Sequence, residues 1–331
     1  MITPFYRGNG TRDTDRDHRP LPSSTFAELS NPEHYLADAR VADAVNVALL
    51  LGRPLLVNGE PGTGKTHLAY SIAWELGLGS PLKFETKSTS LARDLFYSYD
   101  VLGRFHAAQL KQDTPPGAYL TYNALGIAII RANDPNTVSG ELPQGFVHGG
   151  KSRSLVLIDE IDKAPRDFPN DILNEIEEMY FRVPELGNVQ FTAESEMRPI
   201  VVITSNSEKG LPDAFLRRCI YCYIDFPTRD RLMEIVANRL SNYSLKEGRF
   251  LDDALDLFFR LRSDTLNARK KPSTAELMGW LISMRGLMPE TQNPLAAEPD
   301  IALRTLHCLI KNEEDRQKAE DETRAWIASR K

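Results

Sequence analysis

Residues 59–66 read Gly-Glu-Pro-Gly-Thr-Gly-Lys-Thr, a pattern suited to holding phosphate. Gly59, Gly62 and Gly64 let the backbone curl with its N–H groups pointing inward at anionic oxygens, and a helix expected from about Lys65 adds its partly positive N-terminus. Glu60, Pro61 and Thr63 complete the loop. Lys65 is placed to reach the β- and γ-phosphates of a nucleoside triphosphate, and Thr66 offers a hydroxyl to Mg2+. His67, next in line, has no necessary role. The competing reading is a glycine-rich turn followed by an accidental Lys-Thr pair. The apolar run before the loop and the helical pattern after it argue against that, because strand, turn and helix are the context the motif requires.

A second constellation lies in "SLVLIDEIDKAP", an apolar run that ends in acids. Strand ends in open α/β sheets face the ligand crevice, so Asp159 can hold Mg2+ through water and Glu160 can polarise an attacking water. Asp162 is then a supporting or surface acid. An acidic turn after a core strand is the plain alternative, and the complete phosphate loop upstream weighs against it. The next apolar run, "PIVVITSN", ends on Asn206, whose neutral amide suits orienting water or touching the γ-phosphate. Alone this is a weak signal, since Asn is a common turn residue.

The cysteines are Cys219, Cys222 and Cys308, a sparse and odd count that reads as reduced thiols rather than a disulfide framework. Cys219 and Cys222 sit within "CIYCYIDF", whose composition is that of a buried strand. On strict alternation their sulfurs point to opposite sides of a sheet, so they read as core residues and not as a redox or zinc pair. Among the six histidines only His307 adjoins a cysteine, and no zinc spacing emerges.

These residues need elements to position them. A helix is expected over 42–51, a strand over 54–58, and further strands in "PLKFETK", "SLVLID", "IVVITS" and "CIYCYIDF", with helical patterns between them: the signature of a parallel sheet flanked by helices. Beyond residue 227 only helical periodicity follows, ending in a helix of mixed charge. The expected organisation is an arm over 1–32, an α/β nucleotide-binding domain over 33–227 and a smaller all-helical domain over 228–331.

Composition sets bounds. The chain has 331 residues, 26% of them charged, and a formal net charge of −6, which suits a globular protein and disfavours a nucleic-acid-directed motor. No apolar run is long enough to span a membrane, and the first residues lack a signal-peptide pattern, so a cytoplasmic location is expected.

Taken together, "GEPGTGKT", "LVLIDEIDKAP", the hairpin-like "YFRVPELGNVQFT", "ITSN" and "LPDAFLRRC" resemble a P-loop ATPase of the AAA+ class and, more narrowly, its MoxR group, over about residues 33–290. The resemblance implies an α/β core with a parallel five-stranded sheet followed by a helical lid domain. It also implies Mg2+-dependent ATP hydrolysis between the subunits of a homo-hexameric ring, used to remodel, activate or mature a partner protein. The partner would be a protein client or a von Willebrand factor A domain adaptor on a separate chain. By the same resemblance a neighbouring subunit supplies an arginine to the γ-phosphate, with Arg218 at that position and Arg217 one residue early. A second sensor arginine is expected where this chain has Ala275, and either Lys270 or Lys271 takes its place or the contact is missing.

Two further segments enter by resemblance. The insert holding Phe96, Tyr97, Tyr99 and Phe105 faces the ring's axis and grips a client, or else its aromatics merely pack the insert down. The hairpin turning at Gly187 and Asn188 has an axial or interface role. The functional alternative to a remodelling enzyme is a nucleotide-gated binding module with slow hydrolysis.

Overall fold

The computed structural model describes residues 31–111, 115–143, 145–207, 210–240 and 249–330. The expected N-terminal arm therefore lies, except for its last two residues, outside the described part. The chain divides into two compact units, one spanning Ala37–Asp225 and the other running from Phe226 onward and including the described residues before Ala37.

In chain order the strands among the described residues are β1 (Leu55–Gly59), β2 (Leu82–Glu85), β3 (Tyr97–Tyr99), β4 (Leu120–Tyr122), β5 (Leu155–Asp159), β6 (Tyr180–Val183), β7 (Val189–Thr192), β8 (Ile200–Ser205) and β9 (Ile220–Ile224). Five of them form one sheet in the order β2-β5-β8-β1-β9, and every pairing in it is parallel. This is the expected five-stranded parallel sheet. The three inner strands are near-continuous apolar runs that bury almost every residue, as a sheet covered on both faces demands. Because all the strands run the same way, their carboxyl ends line one edge of the unit, and that edge carries the phosphate loop, Asp159 and Asn206.

The helix expected over 42–51 spans Ala39–Leu51 and starts one turn earlier, because Asp38 caps it by accepting from the Val41 N–H at 2.9 Å. The strand expected in "CIYCYIDF" is present and Cys219 and Cys222 are buried as expected, but the strand is not buried throughout. β9 is a sheet edge and not a fully buried strand: Cys222 and Ile224 are buried, while Tyr221 and Tyr223 are 44% and 43% exposed. Its apolar composition hid a half-buried alternation.

The insert and the hairpin pack on each other. β3 and β4 pair antiparallel, as do β6 and β7, the latter through a turn in which Gly187 and Asn188 have φ of 74° and 64°. Between the two pairs lies a box of rings: Phe181 meets Phe96 at 5.4 Å, Phe191 at 5.1 Å and Tyr122 at 5.9 Å between centroids. The helix Ala124–Arg131 reaches this box because Gly126 has no side chain; a Cβ there would lie 2.0 Å from the Phe96 carbonyl oxygen. Phe96 and Tyr97 are therefore packing residues, each 4% exposed, whereas Phe105 is 57% exposed on the helix Val101–Gln109.

The second unit is helical. The helices Arg229–Arg239, Phe250–Arg262, Thr274–Leu287 and Glu313–Ala328 enclose a core that includes Phe250, Phe258, Trp280 and Trp326, all fully buried. Trp280 donates its indole N–H to Thr305 Oγ1 at 2.7 Å. Ser273 and Glu276 form a reciprocal cap on the helix that contains Ala275.

Candidate active site

β1 ends at Gly59 and the next helix, Lys65–Glu75, begins six residues later, so the loop between them has to turn sharply. It does so through Gly62 and Gly64, at φ of 80° and 94°. Gly59 is constrained differently: a Cβ there would stand 2.5 Å from the Ile224 carbonyl oxygen of β9. Thr63 folds back within the loop, its hydroxyl donating to the Glu60 carbonyl at 2.9 Å.

Lys65 is 7% exposed, and its Nζ donates to the Gly59 and Glu60 carbonyls at 2.8 and 2.9 Å. The ammonium is thus aimed into the loop's own concavity. Burial lowers its pKa, opposed by the charges of Asp162, Asp159 and Glu160.

Asp159, the last residue of β5, is 8% exposed and engaged through both oxygens. Oδ1 accepts from Thr66 Oγ1 at 3.0 Å and from Thr204 Oγ1 at 2.6 Å. Oδ2 lies 3.0 Å from Lys83 Nζ. Burial alone would push this carboxyl up, but donation from Thr204, Lys83 and Thr66 outweighs burial and holds it below the ordinary carboxylate range.

Glu160 follows in a left-handed conformation with φ of 57°, and its N–H donates to Thr204 Oγ1 at 2.9 Å. Its Oε2 pairs with Lys163 at 2.5 Å, and its Oε1 lies 3.5 Å from Asn206 Nδ2. The Asn206 N–H donates to Asp162 Oδ1 at 3.1 Å, so Asp162 fixes the residue that follows β8.

Lys65, Thr66, Asp159, Glu160 and Asn206 thus converge on one edge of the sheet. Two participants were missed from sequence, Lys83 and Thr204. Neither carries a linear signal: Lys83 lies inside β2 and Thr204 inside β8, and only the sheet order brings both to β5.

Arg217 and Arg218 do not join this cluster. They follow the short helix Asp213–Leu216 and precede β9, whose first residue pairs with Leu55 at the start of β1. They therefore sit at the amino end of the strands, about 16 Å of strand away from the loop. There Arg218 Nε is 2.7 Å from Glu177 Oε2, and the arginine helps line a cleft with Leu51, Gly52, Leu173 and Phe215. Arg217 is exposed. In the other unit, Lys271 pairs with Asp264 at 2.6 Å, and the Lys270 N–H donates to Asp315.

All three cysteines are free thiols. Burial pushes Cys219 up to about 12 and also raises Cys222, so neither is poised as a nucleophile. Among the described residues no three His, Cys, Asp or Glu side chains cluster to hold a metal by themselves. Thr66 and Asp159, 3.0 Å apart beside a phosphate loop, do fit Mg2+, an ion usually held by one or two protein oxygens together with substrate phosphates. Among the described residues no helix is long and apolar enough to cross a membrane.

A parallel sheet with a glycine loop at the carboxyl end of β1, a paired acid at the end of β5, two strands away, and an amide after the intervening β8 defines a P-loop nucleoside triphosphatase. More narrowly, the chain belongs to the ATPase family associated with various cellular activities (AAA), whose family model matches residues 55–227, just over half of the chain. Among solved structures it is similar to a RuvB mutant of Thermotoga maritima, at 19% identity over 84% of this chain and 70% of that one, with a TM-score of 0.47. No curated protein matches it.

Proposed function

We propose that this ATPase is of the MoxR type: a homo-hexameric ring that hydrolyses Mg2+-bound ATP between subunits and uses the cycle to remodel, activate or mature a partner protein. Residues 33–227 form the nucleotide-binding domain and 228–331 the lid. The observation that carries the reading is the separation within one chain. Lys65, Thr66, Asp159, Glu160 and Asn206 gather at the carboxyl end of the sheet, while Arg217 and Arg218 stand at the amino end, where only another copy's loop can use them. The hairpin β6–β7 just before β8, and the Leu211–Arg218 segment after it, support the MoxR group.

In this reading the Gly59–Thr66 backbone and Lys65 hold the phosphates, and Thr66 and Asp159 would hold Mg2+, which would supply positive charge to the phosphates. Glu160 takes the proton of the attacking water, and Asn206 orients that water. Arg218 of a neighbouring copy, with Arg217 in reserve, stabilises charge on the transferred phosphoryl group. The partner is a protein client or a von Willebrand factor A domain adaptor on another chain. Free thiols at Cys219, Cys222 and Cys308 suit a reducing, cytoplasmic location.

The test is complementation. Arg218→Ala and Glu160→Gln are each expected to be inactive alone, and a mixture of the two should regain turnover, because one supplies the acid site and the other the arginine. Normal hydrolysis by assembled Arg218→Ala alone would remove Arg218 from the site. Retention of a protein by the Glu160→Gln variant in ATP, with release in ADP, would identify the client.

A second reading, a nucleotide-gated binding module with slow hydrolysis, is favoured by one observation: Glu160 is already paired with Lys163. Turnover that stays near zero in the presence of the partner would select it.

A further inference from the structure

Lys83 has no place in the roles assigned above, yet its ammonium touches the central acid. Asp159 Oδ1 is taken by the Thr66 and Thr204 hydroxyls, and Lys83 Nζ lies 3.0 Å from the remaining oxygen, Oδ2. The same Nζ lies 2.7 Å from Glu85 Oε1. Lys83 and Glu85 are two residues apart on β2 and so share a face, and Glu85 is in register with Asp159 on β5. The ammonium thus has two carboxylate seats. The Asp159 side chain is 10% exposed and the Glu85 side chain 70%, so one seat is buried and the other open to solvent.

A divalent cation held at Asp159, directly or through water, competes with a primary ammonium 3.0 Å from the same carboxylate, because two like charges a few ångströms apart in a partly buried site repel. We propose that Lys83 is a positioning residue acting through Asp159: it holds the carboxylate while the site lacks Mg2+, yields it on loading, and moves onto Glu85. This rests on the Mg2+-nucleotide reading above. It makes cation affinity a competition whose balance β2 sets. Emptying the buried seat of its ammonium favours the metal, and removing the solvent seat favours the ammonium.

The two seats therefore predict effects of opposite sign. Mn2+ is titrated into the full-length protein with ADP kept equimolar to protein and followed by loss of the free-ion paramagnetic signal beyond that of a matched titration of ADP alone, which itself chelates Mn2+, without any turnover. Lys83→Met should bind Mn2+ roughly fivefold or more tightly than wild type, Glu85→Gln should bind it more weakly, and Lys83→Arg should stay near wild type. Thermal melting supplies the second readout. Lys83→Met should melt below wild type without nucleotide, and Mn2+ with ADP should narrow that gap, because a ligand stabilises the variant that binds it better.

Equal Mn2+ affinity in Lys83→Met and wild type overturns the proposal while leaving the ATPase reading intact. Absence of Mn2+ uptake with ADP by folded wild type overturns both. If Lys83→Met does not fold, the exposed Glu85→Gln change decides: unchanged or tighter Mn2+ binding there overturns the proposal.

Discussion

Thr204 Oγ1 donates to Asp159 Oδ1 at 2.6 Å across the β5–β8 pair. The same hydroxyl accepts the Glu160 N–H, so one side chain on the strand leading to Asn206 locks both acids. Thr204 is 1% exposed, and removing its hydroxyl takes the acceptor from the part-buried Glu160 N–H and a donor from the buried Asp159 carboxylate. Thr204→Val should cost about 1–3 kcal/mol in urea unfolding and slow hydrolysis by up to about a hundredfold through misplaced acids. Thr204→Ser should recover most of both.

Gly59 joins the loop to the sheet edge. Gly59→Ala places a methyl group 2.5 Å from the Ile224 carbonyl oxygen, and that oxygen belongs to strand backbone, which moves only with β9. The expected cost is about 1–3 kcal/mol of stability, with weaker ADP binding by calorimetry. Unchanged ADP affinity would mean that the loop tolerates displacement from β9.

Arg218 is tethered to Glu177, and Arg217 is exposed. Arg218→Ala should lower turnover about a thousandfold or more while leaving ADP affinity intact, since the side chain is remote from its own loop. Glu177→Ala releases the guanidinium and should keep turnover at or above that of wild type. A large loss in Arg217→Ala with a mild one in Arg218→Ala would transfer the role to Arg217.

Acid sensitivity should appear in the helical unit. Burial raises the Asp253 carboxyl, but donation from Arg330 and Asn293 outweighs burial and sets it below its ordinary value. A depressed folded-state pKa gives stabilisation that is complete above the unfolded value, about 3.9, and is lost as pH falls through the folded one. Asp253→Asn should therefore be less stable than wild type at neutral pH, by about 1–3 kcal/mol, and the difference should shrink below about pH 4. Tryptophan fluorescence reads this unit, because Trp280 and Trp326 are fully buried there and Trp74 is 53% exposed.

How far the sequence could be read follows from which contacts are local. The phosphate loop, Asp159, Glu160 and Asn206 were legible because each is announced by its neighbours: glycines before a helix, or a polar residue closing an apolar run. Lys83 and Thr204 were not, because a residue inside a strand acquires its role from the strand beside it. β2 neighbours β5 and β5 neighbours β8, although dozens of residues separate them in the chain. In "CIYCYIDF" the strand and its buried cysteines were legible but the edge position was not, because tyrosines fill a pleated face equally well in the core and at the rim. The insert's aromatics were ambiguous until Phe181 and Phe191 supplied the surface on which Phe96 packs.

Under the proposed trans arrangement, the opposite placement of the loop and the paired arginines bears on stoichiometry. If each loop is served by a neighbour's arginine, copies joined head to tail in an open row leave one terminal loop unserved and one terminal arginine pair idle, however long the row. Closure removes both loose ends with a single extra contact. Activity per chain should therefore rise with row length toward a ceiling that only the closed form reaches, and a subunit able to cap one end would act as a poison far out of proportion to its amount.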